Sequence, residues 1–251
     1  MNPLLLAVYR VYQIVIMLPL MLAATVVTAL IVIAGSLLGG GRWAGYYPPM
    51  VWSRLMCWLA WVRVKVSGRS NITPGKAYVF VANHQGAYDI FAIYGWLGHN
   101  FRWMMKQALR KIPLVGLACE MSHQIYVDNS SPSRLKATMQ RAESILRSGL
   151  SVVVFPEGAR SWDGKVRPFK RGAFLLATEF SLPVVPITID GAFAVLPRFK
   201  KLPMPGTIRL TVHPQIDIPT AVDGAAPTET EAQTYLASAS RAAILASLPP
   251  Q

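Results

Sequence analysis

Residues 77–90 read AYVFVANHQGAYDI. Six β-branched, aromatic and small apolar residues (Ala77–Ala82) run into a short polar turn, which opens an apolar helical stretch. A strand feeding directly into a helix has this pattern. The succession recurs at Ser151–Phe155 (SVVVF), followed by PEGARS and a helical stretch near 169–181. Further strands are predicted at Gln124–Val127, Val184–Ile189 and Thr207–His213, with a less patterned one at Phe101–Met105. Helices are predicted near 87–98 and 132–148. The latter has Ser131 as cap, Pro132 in its first turn and Gly149 at its end. Strands alternating with helices specify an α/β domain with a mostly parallel central sheet flanked by helices. Near-continuous apolar strands such as VVVF fit a sheet covered on both faces.

The chain has 251 residues, 53% of them hydrophobic and 15% charged, with a formal net charge of +13. So apolar a chain has ample material for a core and is not a disordered protein. Cys57 and Cys119 are its two cysteines, too few for a disulfide scaffold. The charge is unevenly placed. Residues 1–88 contain no Asp or Glu but carry Arg10, Arg42, Arg54, Arg63, Lys65, Arg69 and Lys76. An excess of this kind points to nucleic acid or to an anionic membrane.

The amino-terminal pattern favours the membrane. From Val11 to Gly41 no residue is charged, and Leu, Ile, Val, Met and Ala dominate. The run exceeds the ~20 residues a spanning helix needs and the ~7–15 of a signal peptide's apolar region. A second segment, Trp43–Val62, is rich in Trp and Tyr and holds Pro48, Pro49 and Arg54. It is predicted to form an interfacial helix packed on the first, with Arg54 snorkelling to the headgroups. Three regions follow: a membrane-associated helical hairpin at 1–62, the α/β domain at 63–218, and a carboxyl-terminal loop with a peripheral helix at 219–251.

Chemistry in α/β domains gathers in the turns after strands. In the first such turn His84 and Asp89 are five positions apart, and across a strand-to-helix turn their side chains can meet. A carboxylate can fix the tautomer of a histidine base and stabilise the imidazolium it becomes. His123 and Asp128 repeat the spacing. The strand between them would hold them ~17 Å apart on opposite faces, so they should not touch. His99 and His213 lack such a partner and read as surface or packing residues. In the second turn, FPEGARS (Phe155–Ser161), Pro156 and Gly158 tighten the chain and leave Glu157 and Arg160 at a strand end. Lys165, Arg167, Lys170 and Arg171 follow. This makes a receptor for a phosphate ester, in which Glu157 would stay ionised and hold Arg160 or a substrate hydroxyl.

NHQGAYD resembles the N-H-x-x-x-x-D signature, and FPEGARS the F-P-E-G-[TS]-R-S signature, of the glycerolipid acyltransferases, in particular the bacterial 1-acylglycerol-3-phosphate acyltransferases. IYVDN (Ile125–Asn129), FKRGA (Phe169–Ala173) and VVPI (Val184–Ile187) are similar to further blocks in the family's order. The resemblance covers about residues 60–215. It implies that His84 would deprotonate the acceptor hydroxyl, with Asp89 orienting it, for attack on the thioester of acyl-CoA or acyl-acyl carrier protein. Asn83, Lys106, Glu157, Gly158, Arg160 and Lys170 would bind substrate, and Val185, Pro186 and Ile187 would shape the acyl site. No metal or other cofactor is implied. The acceptor would be lysophosphatidic acid, the partner a phospholipid membrane, and the location the cell inner membrane with the site on its cytoplasmic face. Asn129 stands where Arg is usual, Ala159 replaces Thr or Ser, and Gln107 and Ala108 depart from the usual pattern after the Lys. The departure at Asn129 leaves room for another acceptor, lyso-ornithine lipid or a lysophospholipid.

Two other function classes compete with this reading. A non-catalytic basic protein binding nucleic acid or lipid would explain +13 but leaves both motifs without a role. The aromatic residues concentrate in the apolar amino terminus and not on a basic stripe, so no nucleic-acid partner is expected. A hydrolase would use His84 with water, but no G-x-S-x-G nucleophile elbow is present.

Overall fold

The computed structural model describes residues 2–128, 130–221 and 227–250. Asn129, noted above for its departure, lies outside them. The elements run α1 (Pro3–Tyr12), a π-helical turn (Gln13–Met17), α2 (Leu18–Leu37), α3 (Gly41–Ala44), α4 (Tyr47–Leu59), β1 (Val62–Ser67), β2 (Val79–Ala82), α5 (Tyr88–Trp96), β3 (Phe101–Lys106), α6 (Val115–Met121), β4 (Ile125–Val127), α7 (Pro132–Arg147), β5 (Ser151–Val154), α8 (Gly172–Glu179), β6 (Val184–Asp190), α9 (Ala192–Val195), β7 (Gly206–Val212) and α10 (Glu229–Ala246).

The sheet order is β1-β7-β6-β2-β5-β3-β4. Five strands from β6 to β4 run parallel, β7 is antiparallel to β6, and β1 is parallel to β7. The fold is therefore the mostly parallel α/β sheet expected. β2 lies between β5 and β6, so the turns leaving β2 and β5 emerge side by side at one edge.

Caps explain where the helices begin and end. The Ser131 hydroxyl accepts the Arg134 N–H at the start of α7, and Gly149 follows its end at φ 78°. α10 opens with a capping box between Thr228 and Glu231. Expected to be peripheral, α10 instead buries Leu236 and Ile244 completely and joins the core on one face of the sheet. β1 was not among the expected strands. Its VRVKVS alternates buried valines with exposed Arg63 and Lys65, a pattern suited to a charged edge strand.

The amino-terminal helices differ most from expectation. α1, the π turn and α2 form one helix, Pro3–Leu37, long and apolar enough to cross a membrane, with 11% of its most apolar window buried. One apolar helix of this kind suggests membrane association. α4 packs on α2 as expected, with Trp52 donating to Thr25, and leaves Val51 and Trp58 exposed, but its other side covers the sheet: Met56, Cys57 and Leu59 are buried, and the latter two join the main core. Arg54 is exposed and also engages the body. Its Nε donates to the Gly95 carbonyl at 2.8 Å, capping the end of α5, and its guanidinium lies over Trp96.

A fully buried Arg102 fastens the connector between α2 and α4. Its Nη2 donates to the Gly41 carbonyl at 2.9 Å, and its Nη1 to the Phe101 carbonyl at 2.8 Å and to Asn100 Oδ1 at 2.9 Å. Gly45 must lack a Cβ there, since one would sit 2.7 Å from Nη2. Tyr94 donates to the Gly45 carbonyl at 2.8 Å. Replacing Arg102 by Ala strands several buried acceptors, each worth about 1–3 kcal/mol when unsatisfied. Arg102→Ala is expected to lose about 3 kcal/mol or more, read by denaturant unfolding in detergent; a loss below ~1 kcal/mol would show that the connector holds without it.

Candidate active site

His84 follows β2 by two residues, and Asp89 stands in the first turn of α5. The side chains meet, with His84 Nδ1 2.8 Å from Asp89 Oδ2. Asp89 is fully buried, and the same oxygen accepts the N–H groups of Gln85 at 2.7 Å and Gly86 at 2.9 Å. An acceptor-only carboxylate on Nδ1 sets the neutral ring with its proton there and leaves the Nε2 lone pair free. The side chain of His84 is 14% exposed, so part of the ring reaches the surface. The ring lies flat on Phe155, centroids 3.9 Å apart and planes 9° apart, and Phe155 stacks in turn on Trp103 at 5.4 Å. Sequence reading assigned no role to Phe155. The available signal was its place one residue past β5, on the strand neighbouring β2.

The second turn is laced to the first. Glu157 is buried, its Oε1 accepting the His84 N–H at 2.7 Å and its Oε2 the Arg167 N–H at 3.0 Å. The Ser161 N–H donates to the His84 carbonyl at 2.8 Å, and the Gln85 amide donates to the Gly164 carbonyl. Glu157 was expected to hold Arg160 or a substrate hydroxyl; in this structure each of its oxygens accepts one backbone N–H, so it fixes the position of the His84 loop. Burial pushes its carboxyl above the ordinary glutamate value, against the pull of those two N–H groups. A raised native value means that the native state gains stability, relative to the unfolded chain, as pH falls through the interval down to the ordinary value.

Asn83 is likewise spoken for. Its amide donates to the Ile189 carbonyl at 2.8 Å and accepts the Ile189 N–H at 2.8 Å, pinning the loop to β6 in full burial. It braces the loop and does not face a ligand. Val185, Pro186 and Ile187 are buried in β6, and Val185 and Ile187 belong to the main core. As parts of a central strand they are closed over by packed neighbours and do not form an open acyl wall.

The basic residues fare differently. Arg160 is half-buried, and among the described residues its guanidinium has no hydrogen-bond or ion-pair partner. Lys170 lies over the tight turn: Gly158 takes φ +75°, and a Cβ there would lie 2.9 Å from Lys170 Nζ. Lys106 is exposed at the end of β3, beyond β5 on the same sheet edge. The arrangement offers one free imidazole nitrogen on a buried carboxylate, beside an unpartnered guanidinium. It can take a proton from a hydroxyl and hold an anion nearby.

His123 and Asp128 stay apart, as the intervening strand requires. Asp128 pairs with Arg134 at 3.0 Å, and Ser130 and Arg134 hold its carboxyl down at about 2. His99 meets Ser151 Oγ at 2.9 Å and His213 meets Thr188 Oγ1 at 2.7 Å, both as packing residues. Burial pushes the Cys57 thiol up to about 12 and the Cys119 thiol up to about 11, which leaves neither activated as a nucleophile. Among the described residues no group of three or more His, Cys, Asp or Glu is placed to hold a metal ion.

Comparison with known proteins agrees with this fold. A crystal structure of the 1-acyl-sn-glycerophosphate (LPA) acyltransferase PlsC from Thermotoga maritima matches with a TM-score of 0.70 at 26% identity, over 88% of this chain and 89% of that one. A 1-acyl-sn-glycerol-3-phosphate acyltransferase of Chlamydomonas reinhardtii is 31% identical over 191 residues, 75% of this chain and 54% of that protein. The human 1-acyl-sn-glycerol-3-phosphate acyltransferase alpha is 35% identical over 130 residues, 51% of this chain and 46% of that protein. The chain thus spans about half the length of the curated relatives it matches. The family model described as Acyltransferase covers residues 63–190, both laced turns included, and on that match the chain belongs to the acyltransferase family.

Proposed function

We propose that this protein transfers a fatty acyl group from acyl-CoA or acyl-acyl carrier protein to the sn-2 hydroxyl of lysophosphatidic acid. The observation that carries the reading is the His84–Asp89 pair, tied by Glu157 and Ser161 to the turn that presents Arg160. The names of the relatives support the same acceptor. His84 Nε2 takes the proton of the acceptor hydroxyl as its oxygen attacks the thioester carbonyl, and Asp89 stabilises the imidazolium. The tetrahedral adduct collapses, the C–S bond breaks, and the imidazolium returns the proton to the departing sulfur. Ester and free thiol result, and the histidine is regenerated. Both substrates supply every atom in this balance and no oxidation state changes, so the step needs no oxidant or reductant.

The Arg160 guanidinium grips the acceptor phosphate, a charge-assisted contact it is free to make. Arg160→Ala is expected to raise KM for lysophosphatidic acid about tenfold to a hundredfold, while transfer to an uncharged monoacylglycerol changes little. Assays of purified protein with both donors and competing acceptors check this. Equal loss on both acceptors would move the phosphate contact elsewhere, and preference for lyso-ornithine lipid would replace the acceptor.

The helix Pro3–Leu37 is about 50 Å long at ~1.5 Å per residue, well beyond a ~30 Å hydrocarbon core. The body contacts it along its length. Tyr9 donates to the Ala60 carbonyl at 2.9 Å, the Gln13 amide to the Pro203 carbonyl at 2.7 Å, and Trp52 to Thr25 at 3.0 Å; Ala29 and Val32 pack with Ala118. An upright helix could not keep these contacts, so it lies in one leaflet, on the cytoplasmic face of the inner membrane where both donors are made.

A further inference from the structure

Large apolar side chains exposed outside the amino-terminal helices are few. Among the described residues beyond Trp61 they are Leu109, Ile112, Leu114, Leu117, Trp162, Phe199 and Tyr235, the first four within nine positions and each 40–50% exposed. These four follow the carboxyl end of β3, the sheet edge that also carries the His84 and Glu157 turns. Soluble surfaces scatter such residues singly; a cluster marks an interaction surface.

The segment is built to hold them out. Leu114 has φ 59° and ψ −50°, and the Val115 N–H reaches back to the Pro113 carbonyl at 2.6 Å, closing a strained three-residue turn. Gly116 allows the turn to close, since a Cβ there would run into the Arg110 carbonyl. Tyr126 donates to the Gly116 carbonyl at 2.9 Å, and Arg110 is anchored by Glu120. Rigidity of this kind keeps leucines in solvent that a loose loop would fold inward.

Two observations say what covers them. The segment leads into α6, whose Ala118 packs on Ala29 and Val32 of α2, so the patch continues the apolar surface of the amino-terminal helix. Lys106 and Lys111 are exposed beside it, complementary to anionic headgroups. We infer that Gln107–Leu117 is a second lipid-inserting element, entering the leaflet beside α2 and seating the strand ends on the lipid surface. The inference rests on the reading of Pro3–Leu37 as membrane-bound.

The test uses the full chain with vesicles of phosphatidylglycerol and phosphatidylethanolamine. In a Cys119→Ser background, where Cys57 stays buried, an environment-sensitive label is placed by Ile112→Cys, and separately by Leu22→Cys on α2. Quenching of both labels by nitroxides on the acyl chains is the expected result. Quenching at 22 but not at 112 overturns the inference and leaves the helix reading intact; quenching at neither overturns both. A shift at 112 without vesicles that grows with protein concentration would assign the patch to a second copy instead. Independently, Ile112→Ser with Leu117→Ser should weaken partitioning into these vesicles at least about tenfold, and unchanged partitioning also overturns the inference.

Discussion

His84→Ala is expected to lower kcat for acyl transfer by about 10³–10⁴-fold, the range general-base catalysis supplies, with KM for either substrate changed little. The substituted protein should keep its fold. His84 sits in the loop after β2, and the contacts that fix the loop are its own N–H to Glu157 and its carbonyl to Ser161. Both are backbone groups and survive the substitution. The chief packing loss is the face of Phe155. Turnover and circular dichroism on the same preparation check the result. Activity within tenfold of the parent would remove His84 from the mechanism.

Asp89→Asn should cost about 10²-fold in kcat, less than loss of the base. The physical reason lies in which oxygen is engaged. Oδ2 accepts from His84, Gln85 and Gly86, while Oδ1 is buried with no partner among the described residues. The two backbone donors will hold the asparagine carbonyl at the Oδ2 position and turn its NH2 toward the vacant side. The imidazole then keeps its tautomer and loses only the buried negative charge that steadies the imidazolium. Asp89→Ala removes orientation as well as charge and should fall further, toward the His84→Ala level. Equal activity of the asparagine variant and the parent would show that orientation alone is what Asp89 contributes.

The strands and the two turns were legible because their signals are local. AYVFVA and SVVVF are runs of strand-forming residues ended by turn chemistry, and His84 and Asp89 are near enough in sequence for their meeting to follow from the turn between them. β1 was missed although its valines alternate with Arg63 and Lys65, because the preceding apolar run drew Val62 into the membrane segment. The helix α4 was anticipated, but not its burial against the sheet. Its Trp- and Tyr-rich sequence suits a headgroup layer and equally suits one side of a sheet, and composition alone does not separate the two environments. Arg102 illustrates the same limit: a lone arginine among apolar residues reads as a surface charge until the carbonyls it caps are located.

For this protein the sequence by itself determined the α/β class, the apolar amino-terminal helix, the paired motifs and the His84–Asp89 partnership, all features carried by residues within a few positions of one another. Only the tertiary structure decided what the partners of those motifs do. Glu157 is 73 residues from His84, and Asn83 is 106 from Ile189. Both side chains brace the His84 loop. Their backbone partners, on β6 and in the loops after β2 and β5, are brought close by the sheet but are distant in the chain. Which buried polar groups satisfy one another is settled when β2 takes its place between β5 and β6, and no local pattern records that outcome.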